Sequence, residues 1–310
     1  MYRPMDRTEW AWLMTLTLLW SGSFLFAKLA LAELGPLTVV LGRVGIAAAL
    51  LTALLFLTGE RLPAAWPAWR AFLTMGLLNN VLPQALITWG MLHIDSGLAS
   101  ILNATTPLFA VLLAHVVGDE RLTARRLGGV LAGVGGVALL VGPEAVRAFS
   151  VGVAGQLAVL GAAASYACAG LYGRRLSALS PVGASAGMLI AATLALFPVA
   201  AVAEQPWHAS PRAITLAALL ALAVLSTALG YVVYFRVLAT AGPTNLLLVT
   251  FLMPVGALAL GAAVLGERPR GTSLAGMLVI FAGLAIIDGR LVARRGRGRR
   301  PALVSQTGAL

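Results

Sequence analysis

Residues 102–136 read LNATTPLFAVLLAHVVGDERLTARRLGGVLAGVGG, and the order of parts in this stretch decides the fold. A polar patch of Asn103, Thr105 and Thr106 leads to Pro107. An apolar run follows, then Glu120-Arg121, then an apolar segment rich in glycine. The same order returns 147 positions later. Pro107 corresponds to Pro254 and Glu120-Arg121 to Glu267-Arg268. Leu127, Gly129 and Gly136 correspond to Leu274, Gly276 and Gly283. A period near half of a 310-residue chain means two copies of one unit.

The unit is built for lipid. Sixty per cent of the residues are hydrophobic and only 11% are charged, against about 25% charged in soluble domains. Mean hydropathy is +0.92. The apolar runs approach the roughly 20 residues that match a hydrocarbon core of about 30 Å. Their Gly, Pro and charge punctuation predicts ten spanning helices: 10–32, 36–58, 69–93, 96–117, 125–142, 152–175, 181–203, 213–239, 243–265 and 272–292. The expected fold is an all-α membrane protein. Residues 1–9 form an N-terminal segment, 10–142 the first repeat, 152–292 the second repeat, and 293–310 a basic tail suited to lie near anionic lipid.

The first run follows Arg3 and Arg7 and carries Ala-Leu-Ala at 30–32, as a cleaved secretory leader would. It is longer than a leader's apolar region of about 7–15 residues, and it contains Lys28. It is also echoed in the second half. Trp20, Ser21 and Lys28 fall against Tyr166, Ala167 and Arg174, and Gly35-Pro36 against Ser180-Pro181. A removed segment has no reason to be echoed, so the run reads as a span.

The net charge of +11 excludes little by itself. A nucleic-acid surface needs basic residues on folded polar segments, and this chain has them in short loops and the tail. With the N-terminus inside, the cytoplasmic side holds Arg3, Arg7, Arg61, Arg70, Arg121, Arg125, Arg126, Arg174, Arg175, Arg236 and the six arginines of 290–300. The outer side holds Arg147, Arg212, Arg268 and Arg270. Sixteen against four is a positive-inside bias that places both termini in the cytoplasm. Five helices per repeat is an odd number, so the second copy enters from the opposite side. The expectation is two inverted-topology repeats, a construction that secondary transporters use. Cys168 alone allows neither an internal disulfide nor a cysteine metal cluster. His93, His115 and His208 share no ligand spacing, so no metal or cofactor is expected.

Polar groups are costly in a bilayer and face a protein interior or a wet cavity. Asn80, Gln84 and Thr88 share one face of the third helix. Ser96, Ser100 and Asn103 share one on the fourth, and Thr227, Tyr231 and Tyr234 one on the eighth. The first helix offers Thr17, Ser21 and Lys28 around Phe24, with Trp20 beside them. The sixth adds Ser165, Tyr166 and Tyr172. Five such stripes predict a shared central cavity, although single hydroxyls also serve as bonds between helices. The candidate solute-binding residues are Trp20, Ser21, Lys28, Arg43, Asn80, Gln84, Asn103, Tyr166, Tyr231 and Tyr234. Lys28 also lies close enough to the outer surface to snorkel. Arg43 lies about two turns inside the second helix, where a lone charge costs about 3 kcal/mol even on a lenient scale. Glu33, Asp95 or a bound anion are its candidate partners. No acidic residue falls in mid-membrane, which disfavours a lipophilic cation and favours a neutral, zwitterionic or carboxylate solute. Tyr and Trp suit an apolar or aromatic solute body. Pro107 and Pro254 each remove a helix hydrogen bond and are candidate hinges as well as kinks. The fifth helix has no polar side chain over 127–141. Its Gly129-x-x-x-Gly133 reads as scaffold or as the face of a homodimer.

These features together resemble the EamA family of the drug/metabolite transporter superfamily over about residues 10–292. The resemblance rests on the repeated proline motif that leads to Asp119-Glu120-Arg121 or Gly266-Glu267-Arg268 and a glycine-rich helix. It rests also on Trp20-Ser21-Gly22-Ser23 followed by Lys28, and on Arg43 after Pro36. The resemblance implies a bacterial inner-membrane carrier, often an exporter of amino acids or related metabolites. The second copy departs from the first: Asn103-Ala-Thr-Thr-Pro becomes Thr250-Phe-Leu-Met-Pro, so the halves contribute unequally to a site. The expected function is export of small amphipathic metabolites such as amino acids by alternating access, with a multidrug carrier as the alternative. An intramembrane enzyme needs a nucleophile–base pair or metal ligands at one depth. His93 and His115 are predicted at opposite faces, so no catalytic residue is expected. A receptor or passive scaffold leaves the repeat unexplained.

Overall fold

The computed structural model describes residues 5–117, 123–141, 150–176 and 179–288, and all side chains among them except those of Arg174, Pro243, Thr244 and Asp288. Glu120-Arg121 and the basic tail lie outside the described residues. Every regular element among the described residues is helical. We number the main helices α1 (Arg7–Ala30), α2 (Pro36–Leu57), α3 (Trp66–Met91), α4 (Ser96–Val116), α5 (Ala124–Val141), α6 (Val151–Tyr172), α7 (Pro181–Ala203), α8 (Ala213–Gly242), α9 (Leu248–Leu265) and α10 (Gly271–Asp288). Among the described residues, α1 to α9 are long and apolar enough to cross a bilayer, and the apolar stretch of α10 is shorter. The protein is a multi-pass membrane protein.

Local sequence sets the helix ends. Asp6 and Glu9 form a reciprocal capping box at the start of α1, with bonds of 2.8 and 3.0 Å. Pro36 and Pro181 begin α2 and α7, where a missing N–H costs nothing. Gly266, at φ 68°, ends α9 in the left-handed conformation that only glycine adopts freely. One predicted helix is discontinuous: α4 breaks at Ala104–Thr105 and restarts at Thr106, with Pro107 in the new first turn. Pro107 is therefore a helix start, whereas Pro254 sits inside an unbroken run. Gly242, at φ 81° and ψ 166°, separates α8 from α9 and corresponds to Asp95 before α4, so the break at Ala104–Thr105 has no counterpart in the second half.

The packing is symmetric under exchange of α1 with α6, α2 with α7, α3 with α8, α4 with α9, and α5 with α10. α1 packs on α8 and α9, as α6 packs on α3 and α4. α2 packs on α8, as α7 packs on α3. The pairs α2–α7 and α5–α10 map onto themselves. In α5–α10 the backbones meet at glycine. A Cβ on Gly136 would come within 2.8 Å of the Gly276 carbonyl, and one on Gly129 within 2.6 Å of the Gly283 carbonyl. Contacts 129 to 283 and 136 to 276 run in opposite directions, so the two helices are antiparallel. The glycine face predicted as scaffold or dimer contact is thus filled within the chain. Gly128 and Gly135 have open space where a side chain would go.

The buried apolar cluster includes Phe24, Ile87, Met91, Ile101, Leu102, Val159 and Ile280. Leu18, Leu131, Leu194 and Leu278 point outward, as lipid-facing residues do. Exposed Trp10 and Trp66 lie near the starts of α1 and α3. Exposed Trp89 and Trp207 lie near the opposite helix ends. This is the placement of interfacial aromatic belts.

Candidate functional site

Two of the helices are wound irregularly where the polar residues cluster. α3 becomes π-helical over Leu77–Val81, and α8 over Leu222–Leu229. Such insertions are rare and frequent at functional sites. They lie in exchange-related helices. The widened turn leaves backbone carbonyls for side chains to bond: Ser165 donates to Leu78 O at 2.7 Å, and Thr227 to Leu222 O, five residues back, at 2.9 Å.

Arg43 sits at the eighth position of α2, about 10 Å along the axis from its N-terminal end. Its Nε donates to Thr227 Oγ1 at 2.8 Å and its Nη1 to Gln84 Oε1 at 2.6 Å. Gln84 Nε2 then donates to the Tyr166 hydroxyl. These residues stand on α2, α3, α6 and α8, so the chain of bonds joins both halves. A second arm begins at Tyr231 on α8. Its hydroxyl accepts from Asn79 Nδ2 at 2.9 Å and donates to Asn80 Oδ1 at 3.1 Å. In an ordinary helix, side chains of neighbouring residues diverge by about 100°. The π-helical segment lets Asn79 and Asn80 reach one hydroxyl. Spacing by four picks out Asn80 and Gln84 and misses Asn79; the irregular turn has no sequence signal in the amphipathic pattern.

Of the predicted site residues, the structure joins Arg43, Gln84 and Tyr166 in one network, and Asn80 and Tyr231 in the adjoining one. Trp20 and Tyr234 stack with ring centroids 5.6 Å apart. Three others are placed elsewhere. Ser21, fully buried, donates to Met253 O at 2.9 Å and fixes α1 to α9 beside Pro254. Lys28 donates to Ile94 O at 2.9 Å and to Met91 O. It thereby closes the carbonyl end of α3, which the helix dipole favours. Asn103 lies at the break in α4, where its carbonyl accepts from Thr106 at 2.8 Å and its buried Oδ1 has no partner among the described residues.

The carboxylates expected to pair with Arg43 are engaged elsewhere or lie at helix ends. Glu33 accepts from Thr215 Oγ1 at 2.6 Å, Arg212 N at 2.8 Å, and Arg212 Nε. The Thr215 hydroxyl, then the Arg212 backbone and side chain, hold the Glu33 carboxyl down at about 2. Asp95 is the residue before α4. Glu204 accepts from Leu37 N at 2.9 Å and Thr38 N at 2.7 Å, and Glu267 from Ser96 N at 2.8 Å and Gly97 N at 3.1 Å. Each therefore caps the N-terminus of a helix in the other half. Among the described residues, Arg43 is hydrogen-bonded to neutral groups alone. No cluster of three or more His, Cys, Asp or Glu able to hold a metal occurs among them.

A solved crystal structure shares this fold: TM-score 0.66, 21% identity, covering 93% of this chain and 99% of that one. This chain is similar to the "Uncharacterized transporter YoaV" of Bacillus subtilis, 25% identical over 273 residues, 88% of this chain and 94% of that protein. It is similar to a "Probable terminal-alkyne amino-acid exporter" of Streptantibioticus cattleyicolor, 27% identical over 299 residues, 96% of this chain and 98% of that protein. It is also similar to a "Probable amino-acid metabolite efflux pump" of Salmonella typhimurium, 29% identical over 209 residues, 64% of this chain and 69% of that protein. The model of the EamA-like transporter family matches twice, at residues 8–142 and 153–288. The family model covers most of both halves, and the chain belongs to the EamA-like transporter family, within the drug/metabolite transporter superfamily.

Proposed function

We propose that this transporter exports small amphipathic metabolites, amino acids first among them, across the bacterial inner membrane by alternating access. The observation that carries the proposal is the hydrogen-bonded network from Thr227 through Arg43 and Gln84 to Tyr166. A cation at this depth without a carboxylate partner suits a solute that brings its own negative or dipolar group. The same cation repels the lipophilic cations of many multidrug carriers. The stacked rings of Trp20 and Tyr234 suit the apolar part of such a solute. The names of two relatives point the same way.

Ten spans in two inverted repeats are the architecture we propose. Support comes from the exchange-symmetric packing, the antiparallel α5–α10 contact and the doubled family match. The arginine distribution supports cytoplasmic termini. Rocking one half against the other then exposes the network to each side in turn, with the break before Pro107 and the helix-interior Pro254 as hinge candidates. The proposed partners are the solute and the lipid bilayer.

Flux of radiolabelled amino acids into vesicles with reconstituted protein tests the reading. Uptake of at least one amino acid above that of empty vesicles is expected. A broad panel with no flux, alongside a drug-resistance phenotype in expressing cells, would transfer the protein to the multidrug class.

A further inference from the structure

The network is unbalanced in its hydrogen-bonding capacity, and around Arg43, Tyr166 and Asn80 the unused groups are donors. A guanidinium has five N–H donors. Arg43 uses one on Thr227 and one on Gln84, and its Nη2 edge has no partner among the described residues. Tyr166 accepts from Gln84, and its own hydroxyl proton goes to no described group. Asn80 is 3% exposed; its Oδ1 is taken by Tyr231, while its Nδ2 is buried with no acceptor among the described residues. Tyr231, which both accepts and donates, is saturated. The groups left unused at Arg43, Tyr166 and Asn80 are donors, while Asn79 Oδ1 is an acceptor without a donor among the described residues. Gln84 and Thr227 hold the guanidinium by Nε and Nη1, which orients the remaining edge.

Building on the carrier reading, we infer that Arg43 and Asn80 receive a carboxylate of the solute, so that the carrier takes free carboxylic acids and amino acids and discriminates against their amides and decarboxylated amines. A carboxylate offers two oxygens with about four lone-pair sites, and it matches a guanidinium edge in a way that a primary amide does not. A phenolic proton at Tyr166 and an amide proton at Asn80 supply further donors without adding charge. An amine lacking the carboxylate meets a bare cation and two unmatched donors. Gln84 and Thr227 act through Arg43 and are positioning residues.

The test is counterflow of radiolabelled phenylalanine in proteoliposomes of the wild-type chain. The competitors are unlabelled phenylalanine, 3-phenylpropionate, phenylalaninamide and phenethylamine. The two acids are expected to compete, and the amide and amine to need at least about tenfold higher concentration, the factor that 1.4 kcal/mol represents. Arg43→Gln is expected to remove phenylalanine counterflow, retained counterflow with an unchanged acid preference overturning the inference, and Asn80→Asp is expected to weaken both acids while sparing the amide. Competition by the amide and amine equal to that of the acids overturns the inference and leaves the carrier reading standing. Absence of phenylalanine counterflow in the wild type overturns the inference as applied to this solute class and counts against the carrier reading too. Should Arg43→Gln fail to fold in detergent, the wild-type competitor ranking decides alone.

Discussion

Arg43 on α2 and Thr227 on α8 are bonded at 2.8 Å across the boundary between the two halves, and Thr227 is in turn anchored to Leu222 O at 2.9 Å. The hydroxyl accepts from the guanidinium because its own proton is committed to a carbonyl that the π-helical turn leaves available. A valine at this position keeps the shape and loses both bonds. A bond to a charged group contributes about 1.5–3 kcal/mol. Thr227→Val is therefore expected to lower solute affinity by roughly tenfold or more, with protein levels in the membrane unchanged. Thr227→Ser is expected to restore it. Equal transport by the valine variant and the wild type would show that Arg43 needs no such anchor.

Gln84 and Arg43 also carry a direct prediction. Gln84→Ala and Arg43→Ala are each expected to abolish flux while leaving membrane insertion intact, because the first releases both Arg43 and Tyr166 and the second removes the charge. Reconstituted flux and quantification of the inserted protein check both at once. Normal transport by the two variants would remove the site from this position.

The glycine contact of α5 and α10 separates structural from lipid-facing positions on a single helix. A side chain at Gly136 collides with the Gly276 backbone, whereas one at Gly128 enters open space. Overpacking a tight contact costs about 1–3 kcal/mol. Gly136→Leu is expected to lower the melting temperature of the detergent-solubilised protein by several degrees. Gly128→Leu is expected to leave it near that of the wild type. Equal effects would mean that the helices do not meet at this face.

Glu33 gives a pH prediction. Its carboxyl titrates at about 2, held there first by Thr215 and then by Arg212. The unfolded carboxyl titrates near 4.3. A depressed value stabilises the tie between the α1–α2 connection and α8 above the unfolded pKa, and the contribution is lost as pH falls toward 2. Stability is thus expected to be insensitive to Glu33 between pH 5 and pH 8, given these two values, and to fall below that range. In Glu33→Gln the acid-side loss is expected to be smaller. A melting curve against pH for the two proteins checks the sign.

Much of the fold was legible because membrane spans announce themselves by composition, and the Pro107 and Pro254 motifs pointed to two halves, each of which the family model matches. The break in α4 was not legible: Pro107 reads equally as a mid-helix kink and as the first turn of a new helix. Of the site, Arg43, Asn80, Gln84, Tyr166 and Tyr231 were readable because large polar groups are rare in such a chain. Their partners were not. Asn79 needed the π-helical turn, and the pairing of Arg43 with Thr227 needed the packing of α2 on α8, a contact 184 positions apart in the chain. Lys28 and Ser21 carried the same polar signal as the site residues, yet backbone carbonyls at Ile94 and Met253 claim them.

The proposed transport cycle requires a solute-accessible network between the halves, open alternately to each side. Thr227→Cys in a Cys168→Ser background places one thiol beside Arg43. Labelling with a membrane-impermeant maleimide, applied from one side of oriented vesicles and then from the other, measures access directly. The account predicts labelling from both sides and slower labelling when a transported solute is present. A thiol that reacts from neither side, or only with lipid-soluble reagents, would contradict it.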